Sequence, residues 1–560
     1  MKHWLALSVI VALGVTAMVV SEIRKVDVPP GPAAVLFLVA DTEKELMRMP
    51  VRFTRMSDTE EIAIGDVLAK SYQSQHEEEK LASVQTVDKY LAQLGSRLAA
   101  HANRKLPYKF HYIPEKYFVN AFALPGGHVY VGQGLLALMD SEDELASVLG
   151  HEVEHIDHYH CAERMQVEQA LRKLPFGELA ALPIELFQAG YSKDQELEAD
   201  REGTRMAVAS GYSASGAIRM FEAFQRMQEL VRRKANNPGE EAGDVANQTL
   251  EGYFRSHPLP SERIAQIQKM IASERWPVVA ERDLPVAYIF WSNRAQELFA
   301  ANKYTEAEAA ALRSLKLQPD RQDALETLAK AYFSQAKFAE SAETYRKILQ
   351  IDGETKFAKD YAIALAADDK KSAVHQFDQW LETQSGDVTD LRATQAGLDL
   401  LAGNAGATNP MVREINRAEP DQLGELGWWY YLAGDYTQAL KLLQEALQQR
   451  PGNMDWRTDL AWAQLQNKKF EDVLQSLNEG YLAGNAGPDR KMAGAVAFWL
   501  SEQKDASLRD FAIAVEAQPE WKNPKWVRAL YSPLVADTVP QIAAEQERLR
   551  KLQFQRIAQP

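Results

Sequence analysis

A repeat of 34 residues runs through the C-terminal half of the chain and restricts its fold more than any other feature. In the later part of this region Tyr436 returns as Phe470, and Pro451 returns two periods on as Pro519. In the earlier part four apolar positions recur together, with Leu298, Tyr304, Leu315 and Leu317 returning as Tyr332, Phe338, Leu349 and Ile351. A fixed period of this length predicts stacked structural repeats, each of which contacts mainly its neighbours.

The best-defined unit of this repeat reads W-W-Y-Y-L-A-G-D-Y at 428–436, followed by Ala439, Ala446 and Pro451. This pattern resembles a tetratricopeptide repeat, which is a pair of helices. The stretch 353–423 matches poorly, so degenerate repeats are expected there. The resemblance implies an α-solenoid at 285–530 that binds a protein partner on its concave face, or that serves only as a packing or oligomerisation scaffold. Apolar positions at 540–557 predict a C-terminal capping helix within 531–560.

A second motif, His151-Glu152-Val153-Glu154-His155, lies in the N-terminal half of the chain. On a helix its two histidines stand one turn apart on the same face, where they can bind one zinc ion, and Glu152 can reach a water on that metal. Ser141 and Glu144 form a predicted capping box, from which we expect one helix to run to about Met165. A lone histidine on such a helix is usually a core or surface residue, but this pair favours metal ligands.

A catalytic zinc ion needs a third protein ligand and an open position for water. Glu196-Leu197-Glu198-Ala199-Asp200 lies on a further predicted helix at about 193–210. Glu196 is the candidate third ligand, and Asp200, one turn on, can accept the N–H of a ligating imidazole. Taken alone, this stretch has a solvated acidic face as its alternative interpretation.

Three predicted strands precede the motif helix, at 108–113, 119–124 and 128–131. The last two flank Pro125-Gly126-Gly127, a turn sequence that predicts a hairpin. In zinc peptidases such a strand can pair with an extended substrate backbone, so Asn120, Ala121 and Phe122 are the candidate substrate-binding residues. The alternative is a hairpin that serves only the core.

These motifs together resemble the HtpX-like and BepA-like gluzincin metallopeptidases, the family that includes the CAAX prenyl endopeptidases. The lead-in at 60–65, the stretch 120–127 and His160 share in the resemblance, which covers about 56–270 and places an α+β peptidase domain at 56–275. It implies that His151, His155 and Glu196 bind one zinc ion, that Glu152 is the general base, and that Asp200 supports a ligand.

Ser256-His257-Pro258 and Arg263 resemble a further signature of that family, S/T-H-P-x-x-x-x-R. His257 is a candidate donor to the oxyanion or an occluding fourth ligand, and Arg263 could bind a carboxylate or the reaction intermediate. Loop anchoring is the alternative for both. Two further features stay open: His158 either competes for metal or lies at the surface, and the segment 174–191 is either a lid over the cleft or a helical hairpin.

The start of the chain favours export across a membrane. Met1-Lys2-His3 precedes an apolar run at 4–20, which suits a signal peptide or signal anchor at 1–28, followed by a linker or short strand at 29–55. Cys161 is the single cysteine, so no intrachain disulfide can form. A net charge of −15 and the lack of basic tracts beyond the N-terminus argue against nucleic acid as a partner.

The sequence therefore predicts a mainly α chain, with a zinc metalloendopeptidase domain followed by repeats. Its expected action is the hydrolysis of peptide bonds in proteins of the bacterial periplasm or cell envelope, with the repeats recruiting clients or partners. Any membrane attachment is expected through the N-terminal segment alone. The alternative is a repeat-based chaperone or assembly adaptor in which proteolysis is minor or lost.

Overall fold

The computed structural model of the 560-residue chain describes residues 56–75, 81–172, 185–188, 191–235, 260–352, 355–384, 388–404, 419–468, 470–481 and 487–557. The chain divides into two compact units, Met1–Phe290 and Trp291–Pro560. The expected signal segment at 1–28 and linker at 29–55 lie outside the described residues. Within the described ranges, no helix combines the length and apolar character needed to cross a bilayer.

The first unit is built mainly from helices around a small sheet. Its helices are α1 (Asp58–Gln75), α2 (Ala82–Ala99), α3 (Gln133–Leu136), α4 (Glu142–Asp157), α5 (His160–Arg172), α6 (Glu185–Gln188), α7 (Lys193–Ala209), α8 (Ser215–Ala235) and α9 (Pro260–Glu274). The helix α4 carries the H-E-x-x-H motif and packs against α2, α7 and α8. All sixteen of its residues are buried, so it forms the centre of the unit.

The sheet contains β1 (Lys109–Ile113), β2 (Ala121–Leu124) and β3 (His128–Gly132), in the order β1-β3-β2. β3 pairs with β1 in parallel and with β2 antiparallel, so β2 is an edge strand. Gly126 and Gly127 adopt φ values of +82° and +113° in the turn between β2 and β3, a region that glycine occupies readily. The predicted hairpin is confirmed.

The start of α4 is only partly as predicted. The Ser141 hydroxyl accepts a hydrogen bond from the Glu144 backbone N–H at 3.2 Å, as an N-cap residue should. The Glu144 carboxylate, however, accepts from the backbone N–H of Asp140 at 2.9 Å rather than from that of Ser141. A complete capping box, with both of its hydrogen bonds, occurs instead at the start of α7 between Ser192 and Gln195.

The predicted continuation of α4 to Met165 is wrong. The helix ends at Asp157, and α5 begins at His160 after Tyr159 has taken a left-handed φ of +62°. The Asp157 carboxylate accepts hydrogen bonds from the backbone N–H groups of Asn103 and Arg104, at 2.9 and 2.6 Å. This contact fixes the end of α4 and turns the following residues in a new direction.

The second unit consists of helices that pack against their neighbours along the chain. They are α10 (Ala287–Ala300), which crosses the boundary between the units, then α11 (Tyr304–Leu317), α12 (Gln322–Ser334), α13 (Phe338–Asp352), α14 (Ala358–Asp368), α15 (Lys370–Leu381), α16 (Arg392–Leu401), α17 (Pro420–Leu432), α18 (Tyr436–Gln449), α19 (Met454–Gln466), α20 (Phe470–Tyr481), α21 (Pro488–Leu500), α22 (Lys504–Ala517), α23 (Pro524–Leu530) and α24 (Pro533–Ile557). The last helix begins seven residues before the predicted start at Pro540, which lies inside it.

The 34-residue period is visible in the backbone. Positive φ values between 56° and 85° recur between paired helices at Asn302 and Ala336, and again at Gly434, Lys468 and Glu502. From Ala336 to Gly434 there are 98 residues, four fewer than three periods, and α14 to α16, which lie in this stretch, are only 10 to 12 residues long. The predicted fold class, an α+β domain followed by helical repeats, is confirmed.

Candidate metal centre

Two glycines allow α4 and α7 to approach closely enough to share a site. A Cβ atom on Gly150 would lie 2.7 Å from the backbone carbonyl oxygen of Gly203, and one on Gly203 would lie 2.7 Å from the backbone nitrogen of His151. Any larger residue would push the two helices apart. Because Gly203 lies two turns after Glu196, this crossing point brings Glu196 and Asp200 alongside the motif histidines.

The two imidazoles and the Glu196 carboxylate converge in the interior of the unit. His151 Nε2 lies 3.0 Å from His155 Nε2, 3.5 Å separates His151 Nε2 from Glu196 Oε2, and 3.6 Å separates His155 Nε2 from Glu196 Oε1. A zinc ion with tetrahedral ligands at about 2.0–2.1 Å holds those ligand atoms roughly 3.3–3.4 Å apart. The two imidazole nitrogens and the two oxygens of the Glu196 carboxylate are therefore spaced as ligands of one zinc ion would be.

Asp200 fixes the orientation of the first imidazole. Its Oδ1 atom lies 2.9 Å from His151 Nδ1, so a proton on Nδ1 donates to the carboxylate and Nε2 presents a lone pair to the shared site. Burial would raise the pKa of Asp200, but the Arg263 guanidinium and the hydrogen bond from His151 hold this pKa far below its usual range. The carboxylate is therefore ionised and able to accept.

The second imidazole is oriented by a chain of hydrogen bonds that reaches toward the surface. His155 Nδ1 lies 2.9 Å from His160 Nδ1, and His160 Nε2 lies 3.3 Å from Glu198 Oε2. With a proton on Nδ1, His155 donates to His160, and His160 donates to Glu198. The hydrogen bond from His160 is the main reason that the pKa of Glu198 falls to about 2. Sequence reasoning did not identify Glu198, although it lies between Glu196 and Asp200.

Arg263, in the first turns of α9, is buried beside these carboxylates. Its Nε and Nη2 atoms donate to the two oxygens of Asp200 at 2.5 and 2.6 Å, and Nη1 lies 3.4 Å from Glu196 Oε2. Its guanidinium also lies 4.6 Å from the ring centroid of Phe221. The carboxylate that Arg263 binds in this structure is thus Asp200. His257, its predicted companion, lies outside the described residues.

Tyr191 closes one side of the site and was not identified from the sequence. Its ring stacks on that of His155, with centroids 3.9 Å apart and planes inclined by 19°. The Arg164 guanidinium lies 3.9 Å from the Tyr191 ring centroid, and the Tyr191 hydroxyl lies 3.2 Å from Cys161 Sγ. Burial raises the pKa of the Cys161 thiol to about 12, so this group is neutral.

The candidate substrate-binding residues lie at the edge of the sheet beside α4. β2 packs against α4, and the Asn120 carbonyl accepts a hydrogen bond from the backbone N–H of Gly132 on the neighbouring strand at 2.9 Å. Phe122 points to the face where it stacks on Tyr130 at 4.9 Å. By alternation Ala121 lies on the opposite face, and its backbone polar groups point away from β3.

The two features left open by the sequence are placed only in part. His158 is 28% exposed, and its Nδ1 atom lies 2.8 Å from Glu154 Oε2. Glu154, Asp157 and His158 form a separate group of donors, in which Asp157 is engaged by the loop at 103–104. Of the segment 174–191, the structure describes Tyr191 and α6, which packs against β2.

Comparison with known proteins identifies the first unit. The sequence model of peptidase family M48 matches residues 85–271. Residues 85–271 form an M48 peptidase domain. Models of tetratricopeptide repeats match 292–354 and 430–493 in the second unit. The predicted resemblance, a peptidase of this group followed by tetratricopeptide repeats, is confirmed.

The chain matches its relatives over only part of their length. A beta-barrel assembly-enhancing protease of Yersinia pestis is 26% identical over 270 residues, which are 44% of this chain and 51% of the relative. A protein of the same name from Escherichia coli strain K12 is 28% identical over 213 residues, 34% of this chain and 40% of the relative. A mitochondrial metalloendopeptidase of Schizosaccharomyces pombe is 28% identical over 231 residues, 39% of this chain and 64% of the relative. The matched part of the chain thus spans about two fifths to two thirds of these relatives.

Proposed function

We propose that this chain is a zinc-dependent endopeptidase that cleaves proteins of a bacterial envelope. The observation that supports this most strongly is the convergence of His151, His155 and Glu196 within an M48 domain, with ligand atoms within 4.8 Å of one another. Glu152 follows the first of these residues on the same helix and is buried with them. Three protein ligands leave one position open, which is the arrangement of a catalytic rather than a structural zinc site.

The reaction depends on placing one carboxylate beside the attacking water. A zinc ion held by these three side chains would polarise the scissile carbonyl and acidify that water. Glu152 accepts the proton from the water and passes it to the leaving amine as the bond breaks. Asp200 and the pair His160–Glu198 hold the imidazoles in the tautomers that point Nε2 at the site. Arg263 acts as a positioning residue, because it holds Asp200 and lies beside Glu196.

The edge strand gives this site a way to hold substrates of many sequences. An extended peptide added beside β2 would form main-chain hydrogen bonds with Ala121, while its neighbours Asn120 and Phe122 pair with β3 and hold the strand in place. Such bonds do not depend on the side chains of the substrate. His257 retains its proposed role as a donor to the oxyanion or as an occluding ligand.

The repeats are proposed to recruit client or partner proteins, since stacked helix pairs commonly bind peptide or protein. Two relatives are named beta-barrel assembly-enhancing proteases, which supports a role in assembly or quality control in the periplasm or cell envelope. The basic start and the apolar run at 4–20 support export, with the segment either cleaved or kept as an anchor.

Cleavage of casein, a largely unfolded protein, tests the enzymatic proposal. Glu152→Gln removes the general base, so we expect cleavage to fall by about 10²–10⁴-fold while the zinc content is unchanged. Glu154→Gln is the matched control, because Glu154 lies on the same helix and contacts His158 instead. If Glu152→Gln loses the cleavage of casein but complements a deletion as well as the unmodified chain, the chain acts as a chaperone or assembly adaptor through its repeats. If it cleaves casein as fast as the unmodified chain, Glu152 is not the general base.

A further inference from the structure

A cavity in the second unit combines acidic and aromatic walls. It has a volume of about 410 Å³, and the residues that define its character are Asp455, Asp459, Asp489, Trp462, Trp526 and Tyr531. Binding pockets for ligands usually measure about 300–1,000 Å³. This acidic cavity therefore has room for one or two side chains of a partner rather than for a long folded segment.

The carboxylates of the acidic cavity come from two helices. Asp455 and Asp459 are one turn apart on α19 and share a face, and Asp489 lies in the first turn of α21. An acidic residue in the first turn of a helix is commonly stabilised by the helix dipole, and this explains why Asp455 and Asp489 occur at their positions. Asp459 lies in the second turn of α19 and gains little from that dipole, so its position needs another reason.

The charges around Asp459 are unfavourable to its ionised form. Burial raises the pKa of Asp459 well above its ordinary value, and the carboxylates of Asp489 and Asp455 raise it further. Burial also raises the pKa of Asp489 to about 6, although the Tyr531 hydroxyl donates a hydrogen bond to it at 3.2 Å. Arg490 lines the same cavity and brings one positive charge against three carboxylates. A second positive charge in the cavity would relieve this repulsion.

The walls of the cavity suit an organic cation. Trp462 and Tyr531 have ring centroids 5.0 Å apart, and those of Trp526 and Tyr531 are 5.9 Å apart, so three aromatic rings packed on one another line the cavity. Aromatic faces attract ammonium and guanidinium groups. Trp526 is 4% exposed and lines the cavity, so its ring is largely removed from water.

A bare metal ion fits this site less well. In the described residues, the groups of three or more donors whose atoms all lie within 4.8 Å of one another are those around His151 and around Glu154. The three aspartates of the acidic cavity are not such a group. Their wider spacing, beside the aromatic rings that line the cavity, matches a larger organic cation on an apolar stem.

We propose that the acidic cavity binds the side chain of a lysine or arginine from a protein that the repeats recruit. The stem of such a side chain contacts the rings, and its charged end meets Asp459 and Asp489. This inference rests on the recruiting role proposed above for the repeats and makes that role chemically specific. It does not depend on peptide hydrolysis, because every residue involved lies in the second unit.

Calorimetric titration of the full chain with short peptides tests this. The probe is the heptapeptide Ser-Ala-Phe-X-Phe-Ala-Ser, blocked at both ends, with arginine, lysine or glutamine as X. The titrations use Glu152→Gln protein so that peptides are not cleaved. We expect the arginine and lysine peptides to bind at least about tenfold more tightly than the glutamine peptide, as a desolvated charge pair should.

The double variant Asp459→Asn/Asp489→Asn should bring the preference for arginine and lysine below about threefold. The control Glu471→Gln/Asp505→Asn removes the same charge from exposed positions of the second unit that do not line the cavity, and it should keep the preference. If the double variant does not fold, Asp459→Asn alone is used. Equal binding of all peptides, or an unchanged preference in the aspartate variants, would overturn the proposal. So would tight binding of the glutamine peptide only when its N-terminus is unblocked, because the ligand would then be an α-ammonium group.

These outcomes are separable from those of the peptidase assay. A failure to discriminate the peptides leaves the cleavage of casein and its dependence on Glu152 untouched. Conversely, a chain that never cleaves casein can still bind the arginine peptide in its repeats.

Discussion

His155 Nδ1 lies 2.9 Å from Nδ1 of His160, and the other ring nitrogen of His155 faces His151 and Glu196. This contact exists because α4 stops at Asp157 and the chain turns at Tyr159. An uninterrupted helix would have carried His160 away from His155. The break in the helix is therefore part of the site.

The first prediction concerns this contact. His160→Ala removes the partner that orients His155, so we expect zinc affinity to fall by about 10–100-fold. Competition with a fluorescent zinc chelator measures this. His101→Ala serves as the control, because His101 is an exposed histidine of the same unit and should leave the affinity unchanged. Equal affinities for the two variants would show that His160 does not support the site.

The second prediction concerns the buried guanidinium. Arg263→Met leaves the Asp200 carboxylate buried without its cation, which should lower the free energy of unfolding by about 3–5 kcal/mol. Arg205→Met removes a guanidinium that is 43% exposed and paired with Glu274 and Glu202, and it should cost under about 1 kcal/mol. Urea unfolding compares them. A similar loss in both would mean that the burial of Arg263 adds nothing.

The third prediction concerns the helix crossing. Gly203→Ala places a methyl group 2.7 Å from the His151 backbone nitrogen, so α7 must move away from α4. We expect a loss of about 1–3 kcal/mol of stability and weaker zinc binding. Gly452→Ala, at a position with no heavy atom within 4 Å of the added carbon, should change neither. Unchanged zinc binding in Gly203→Ala would refute the role of this contact.

The fourth prediction follows from the raised pKa of Asp489, about 6 in the folded chain. An unfolded aspartate titrates near 3.9, so between these values the folded state binds the additional proton and stability falls as pH rises. Burial and the carboxylates of Asp455 and Glu520 cause this, against the hydrogen bonds from Tyr531 and Trp521. Asp489→Asn should therefore raise the free energy of unfolding by on the order of 1–3 kcal/mol at pH 7, and by almost nothing below pH ~4. A variant less stable than the unmodified chain at pH 7 would contradict this.

The sequence predicted the parts of the site that recur at fixed spacing. The two motif histidines lie one turn apart, so their spacing was enough to select them. Glu196 and Asp200 also lie one turn apart on another helix, but they were selected through the family resemblance, because their stretch alone could be a solvated acidic face. Gly150 and Gly203 were not selected, because a glycine in a helix usually indicates only weak helix propensity. These glycines matter because α4 and α7 touch at them, and the two residues are 53 positions apart in the sequence.

Local sequence patterns also could not predict contacts that depend on how separate helices and strands pack. Tyr191 lies in the segment that joins α5 to α7, far from His155 along the chain, so no local spacing links the two residues. The period of 34 predicted the helix pairs of the second unit. It gave no sign of the acidic cavity, since Asp459, Asp489 and Trp526 come from three helices and meet only in the stacked repeats.

The most direct test of the metal centre is the zinc content of purified chains, measured by mass spectrometry after gel filtration. We expect about one zinc ion per chain in the unmodified protein and in Glu202→Gln, whose side chain lies on the same helix and pairs with Arg201 and Arg205. Glu196→Gln should retain almost none, because one of three ligands is lost. A Glu196→Gln chain that keeps its full zinc content would contradict the assignment of the site.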